Sequence, residues 1–130
     1  MAAVQNKELM QRIFDGLGRG DGKLFRDSLA DDFRWVVTGK TKWSGTYSGK
    51  RNVFDQLLKP LYSLFADQYI TTASRIVADE DVVVVECQGR VTLKTGKPYN
   101  NNYCWVCRLA GGKILELTEY MDTELANSVL

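Results

Sequence analysis

The sequence predicts an α+β fold, with about three N-terminal helices packed on one face of a strongly curved, mostly antiparallel sheet. Three observations predict it. The first half of the chain carries apolar residues at helical spacings. The second half reads as consecutive strands separated by the turn signals "ADED", "KTGK" and "AGGK". No linker, repeat or low-complexity segment divides the halves, so residues 1–130 read as one domain whose two layers share a core.

The elements follow in order. Leu9, Met10, Ile13, Phe14 and Leu17 recur at spacings of three and four and form the apolar stripe of a first helix. Gly18 and Gly20 end it. Asp21 is placed to cap a short second helix carrying Leu24, Phe25 and Leu29. A strand is expected over Phe33–Thr38, then a Gly/Ser/Thr loop, "GKTKWSGTYSGK". A third helix is expected from Lys50 to Phe65, kinked or divided by Pro60. Strands are expected over Gln68–Val77, Val82–Leu93, Pro98–Leu109 and Lys113–Met121.

Composition narrows the function. Apolar residues make up 45% of the chain and charged residues 25%, which argues against disorder. Seventeen basic and 16 acidic residues leave a net charge of +1, which offers no field for nucleic acid or an anionic membrane. The longest apolar run, Val82–Val85, is far too short to span a bilayer. "MAAVQNKELMQRIF" lacks the basic start and apolar centre of a signal peptide, so a cytoplasmic location is expected.

There is no histidine, which removes Ser-His and Cys-His dyads and the commonest metal ligand. Acid–base chemistry must then use a carboxylate, Tyr, Lys or Cys. Cys104 and Cys107 form a CxxC pattern on a predicted strand, where a spacing of three sends the side chains to opposite faces. With no second CxxC, these and Cys87 read as small buried hydrophobes, and neither metal nor organic cofactor is implied. The unbroken valine run departs from the alternation of a strand with one wet face. It suggests a homodimer through the outer face of the sheet, the alternative being cover by the chain's own tail, Thr123–Leu130.

The order "GRGD", "LADDFRW", "GTYSGK" and "GGKILELTEYMDT" resembles SnoaL-like and limonene epoxide hydrolase-like members of the ketosteroid isomerase and nuclear transport factor 2-like superfamily. The resemblance covers nearly the whole chain. It implies a cystatin-like cone, a bent sheet around a long helix, open at one end to a pocket for a small hydrophobic molecule, and often a dimer. The isomerase's oxyanion Tyr, base Asp and second oxyanion Asp fall on Ile13, Val37 and near Trp105, so that residue set is absent. The epoxide hydrolase's Asp–Arg–Asp group falls on Thr92, Arg90 and Glu119, and its water-holding Tyr and Asn on Trp35 and Val37. SnoaL-like cyclases work with a pocket carboxylate, a role open to Glu119 or Asp122.

Alternation then assembles an expected pocket. If Arg90 points inward, Glu86, Gln88 and Thr92 share its face; Glu119 shares its face with Leu117 and Met121. Asn101, Tyr103 and Trp105 are placed inward on the preceding strand, with Trp35 as a further aromatic wall and Trp43 as a lid or partner contact. Glu119, Arg90 and Asp122 are the candidate catalytic residues. Burial would raise the pKa of Glu119 and Arg90 would lower it. The bland alternatives are an inert Arg90–Glu119 pair, Asp122 as a helix cap, and tryptophans that only fill the core. Two functions stay open: an acid–base enzyme acting on a cyclic or polyketide-like metabolite, and a non-catalytic binding or interaction domain.

Overall fold

The computed structural model describes residues 2–130. Helix α1 (Ala2–Leu17) buries Leu9, Met10, Ile13 and Phe14, the stripe expected from their spacing. Helix α2 (Lys23–Asp27) starts one residue later than its expected cap: Gly22 holds the cap position, and Asp21 Oδ1 accepts from the Lys23 backbone N–H at 3.0 Å. Leu24, expected inside, is 37% exposed, and Phe25 alone anchors this short helix in the core.

Strand β1 (Leu29–Val37) begins earlier than expected, and the Gly/Ser/Thr loop contains a strand of its own, β2 (Gly45–Ser48). Three consecutive helical segments, Lys50–Val53, Phe54–Leu58 and Lys59–Tyr62, make up α3. The middle one is a π-helix that runs up to the segment containing Pro60. A proline has no N–H to give to the preceding turn and its ring crowds the carbonyl there, so the helix widens rather than breaks. Strands β3 (Ile70–Asp79), β4 (Val82–Arg90), β5 (Asn102–Ala110) and β6 (Lys113–Met121) follow, and α4 (Thr123–Val129) closes the fold.

The strands form one sheet in the order β2-β1-β6-β5-β4-β3. Only β1–β6 is parallel; the other pairings are antiparallel. Extra residues at Ser74 in β3 and Leu115 in β6 interrupt the ladders, and such bulges bend and twist a sheet. The bulge at Leu115 also reverses which side chains face inward. Ile114 is fully buried; strict alternation would bring in Glu116, Thr118 and Tyr120, but one added residue brings in Leu117 and Glu119 instead.

Within the valine run, Val83 and Val85 are fully buried while Val82 and Val84 lie half-buried on the outer face. Cys107 is buried and Cys104 half-buried, on opposite faces as their spacing requires. Phe33 is completely buried under Trp35, with ring centroids 6.0 Å apart. Phe33→Ala is expected to destabilise the fold by about 3–5 kcal/mol, because the sheet cannot collapse onto the space left; urea unfolding of the two proteins measures it.

Candidate functional site

Sheet register alone assembles the centre of the site. Glu119 on β6 lies beside Val37 across the parallel pairing and beside Trp105 across the antiparallel one. Trp105 lies in turn beside Val85. These side chains share the concave face. Trp105 Nε1 donates to Glu119 Oε2 at 2.7 Å. Among the described residues no Lys or Arg lies within ion-pair distance of Glu119, and its other carboxyl oxygen takes no protein hydrogen bond. Glu119 is only 8% exposed. Loss of water pushes its pKa up to about 7, against the pull of the single indole hydrogen bond.

Glu119 lines a cavity of about 300 Å³. Trp35, Val37 and Trp105 form its floor beside the carboxyl, and Leu57 and Leu58 of α3 close one side. Arg26, Tyr62 and Gln68, all exposed, stand at the rim. A chain of hydroxyls forms another wall. Tyr69 donates to Tyr103 at 3.0 Å, Tyr103 to Tyr99 at 3.2 Å, and Asn101 Nδ2 also donates to Tyr99 at 2.9 Å. Asn101 is locked in place: its Oδ1 accepts from the backbone N–H groups of Asn102 and Asp122. Burial raises the phenol pKa values of Tyr69, Tyr99 and Tyr103, so these hydroxyls stay protonated at neutral pH.

Several expected pocket residues lie elsewhere, and each correction has a cause. Arg90, Glu86 and Gln88 are on the outer face of β4, because Val83, Val85 and Cys87 take the inner one. Glu86 pairs there with Arg75 at 2.6 Å, Gln88 Nε2 reaches Ser74 at 3.3 Å, and Arg90 is exposed. Thr92 lies beyond the end of β4, bridged to Pro98 with its backbone N–H on Asp67, away from the cavity. The Arg90–Glu119 pair therefore does not form. Asp122 caps α4, accepting from the Leu125 N–H at 3.1 Å, so its carboxylate does not enter the cavity. Leu117 is fully buried in the core below, and Asn101 braces the tyrosines without lining the space. Trp35, Val37, Trp43, Tyr103, Trp105, Glu119 and Met121 do line it.

Trp43 lines the cavity from a loop fastened by its own hydrogen bonds. Thr41 Oγ1 accepts from its backbone N–H at 3.1 Å, Ser44 ties the loop back to the Thr38 carbonyl at 3.1 Å, and Tyr47 donates to the Trp43 carbonyl at 2.7 Å. Sequence reasoning missed Tyr69, Tyr99 and Arg26. The isolated Gly89 inside a strand was the available signal, since such a glycine marks a close approach.

The SnoaL-like domain family matches residues 10–117. The chain belongs to the SnoaL-like family. No curated protein matches the sequence. Among solved structures this SnoaL-like chain is similar to Bal32a from a soil-derived mobile gene cassette, at 18% identity and a TM-score of 0.84, covering 98% of each chain. It is similar to a protein assigned as a SnoaL-like polyketide cyclase from Jannaschia sp. CCS1, at 17% identity and TM-score 0.77, covering 99% of this chain and 95% of the other. It is also similar to TerC, crystallised with polyporic acid, at 19% identity and TM-score 0.79, covering 95% and 96%. At these identities the likeness shows the fold alone.

A methyl group on Gly89 would lie 2.5 Å from the Tyr69 hydroxyl oxygen and 2.9 Å from the Tyr103 ring. Gly89→Ala is expected to push the two tyrosines apart and lower stability by about 1–3 kcal/mol. Thermal unfolding measures the loss.

Proposed function

We propose that the protein is a small acid–base enzyme, of the isomerase, cyclase or hydrolase type, working without a cofactor on a hydrophobic cyclic or polyketide-like molecule. One observation carries this reading: a buried carboxyl with no cationic partner among the described residues opens onto a cavity walled by aromatic rings. A glutamate kept only for structure would be paired or replaced by an apolar residue. With a pKa near 7, Glu119 is divided between base and acid at neutral pH, the condition for passing a proton in either direction. Glu119 transfers the proton, the aromatic walls bind the ring system, and the tyrosine chain keeps the polar side of the cavity rigid. The polyketide cyclase assignment of one structural neighbour and the polyporic acid in another support a cyclic ligand. The cavity stands at the small end of ligand sites, which begin at about 300 Å³, and fits a compact fused-ring molecule.

The outer face of the sheet supports a homodimer. Val77, Val84, Val106, Thr118 and Val36 form one cross-strand row over five strands, and Val77 and Tyr120 are about half exposed on that face. Light scattering is expected to give twice the chain mass; a monomer at micromolar concentration overturns the dimer.

2-Tetralone, a bicyclic ketone with acidic C–H groups, tests the chemistry. The wild-type protein is expected to accelerate its hydrogen–deuterium exchange above the buffer rate, with the rate rising through pH 7 as Glu119 ionises. Glu119→Gln is expected to reduce that acceleration by about 10²–10⁴ while circular dichroism stays unchanged. Equal exchange by the variant refutes the assignment.

Stability gives an independent check. An unfolded glutamate loses its proton near pH 4.3, about, whereas folded Glu119 keeps it to about 7. Between those values the native state holds more protons than the unfolded chain, so this residue's effect is a stability that falls as pH rises and levels off above 7. Glu119→Gln is therefore expected to match wild type at pH 4 and to exceed it at pH 8, by on the order of 3 kcal/mol, in urea unfolding at the two pH values.

A further inference from the structure

Two buried indole nitrogens, on residues that line the cavity, have no partner among the described residues. The indole nitrogens of Trp35 and Trp43 are shielded from solvent and make no hydrogen bond, although both residues line the cavity. Leaving a buried N–H unpaired costs about 1–3 kcal/mol. Phenylalanine at either position would fill much of the same space without that penalty. Trp105 differs, since its N–H is satisfied by Glu119.

Trp35 is packed among rings, and the Trp43 backbone is tied to its loop. Trp35 is 5% exposed and stands edge-on to Phe25, Phe33 and Trp105, with centroids 6.0, 6.0 and 5.7 Å away. Trp43 is tied to it through Tyr47, which is the cross-strand partner of Trp35 and donates to the Trp43 carbonyl. Trp35 precedes Val37, the neighbour of Glu119 across the sheet, by one inward-facing step along β1. Two unpaired donors and one carboxyl therefore share a single aromatic chamber.

We propose that the Trp35 and Trp43 indole N–H groups bind the oxygen of the substrate, which is a flat aromatic ketone. Its chemistry rests on the acid–base reading of Glu119; its binding does not. As Glu119 removes a proton from the carbon next to the carbonyl, the C–H bond breaks and an O–H bond forms on the carboxyl. The electron pair moves into a carbon–carbon double bond and the carbonyl pair moves onto oxygen, where the indole donors stabilise the enolate. Return of the proton to the same or another carbon completes the cycle with nothing gained or lost. Because the nitrogens are shielded in the empty protein, a bound oxygen reaches them as the rings tilt toward it.

The three tryptophans give three indole N–H signals in a ¹H–¹⁵N spectrum, assigned with Trp35→Phe and Trp43→Phe. In the free protein the Trp105 signal is expected at low field and the other two at high field. Titration with 2-tetralone is expected to move the Trp35 and Trp43 signals to lower field, and tetralin, the hydrocarbon without the oxygen, to give no such low-field shift. Each Trp→Phe substitution is expected to weaken 2-tetralone binding about three- to tenfold, as the loss of one hydrogen bond, beyond whatever loss of ring contact it causes for tetralin. Unmoved signals, equal loss for both compounds, or no binding of 2-tetralone overturns the proposal. Low-field signals in the free protein also overturn it, because the donors would then be satisfied already, by an aromatic face or otherwise. Shifted indole signals with undiminished exchange by Glu119→Gln would sink the base assignment and leave the indole site standing.

Discussion

The site depends on one constraint: a carboxyl forced into an apolar interior by the parity of its strand. The extra residue at Leu115 turns Leu117 and Glu119 inward, and the hydrophobic demand of Leu117 holds them there. The fold cannot expel Glu119 without exposing a fully buried leucine and breaking its register with both neighbouring strands. The price of that burial is moderated by one indole hydrogen bond and by the freedom of the acid to keep its proton. Everything chemically interesting in the cavity is arranged around this conflict between packing and solvation.

The rest of the architecture supplies rigidity. Trp35 is wedged among three rings, Trp43 is tied down by its own loop and by Tyr47, and the tyrosine hydroxyls are linked back to an asparagine whose amide is fixed by backbone groups. Groups held this way need little reorganisation when a nearby charge changes. The rim is different in kind. Arg26, Tyr62 and Gln68 are exposed and make a wet, adjustable entrance to a stiff interior.

Much of the fold was legible in the sequence. The stripe of α1 and the bounds of β6 follow directly from apolar spacing and turn residues, and the order of elements led to the right family. The site was legible only in part. Glu119, Trp35 and Trp105 could be placed together because the family resemblance set them at pocket positions. Parity failed on β4: the resemblance set Arg90 inward, and four valines in succession carry no phase to correct it, whereas Cys87 and Gly89 occupy that face. Tyr69 and Tyr99 escaped: the strands expected over Gln68–Val77 and Pro98–Leu109 start only at Ile70 and Asn102, which leaves both tyrosines outside the ladders. Strand β2 escaped because its four residues sit among turn formers.

The pairing of β1 with β6 has a consequence for how the molecule comes into being. Val37 and Glu119 meet across a parallel ladder although most of the chain separates them. Loops that long close slowly, and contacts of this reach mature late in folding. A nascent chain emerging from the ribosome can form α1 and the β1–β2 and β3–β4–β5 pairings well before β6 is available. The acidic residue thus arrives in an interior whose walls are already partly standing, and the cavity is closed in the same event that locks the sheet.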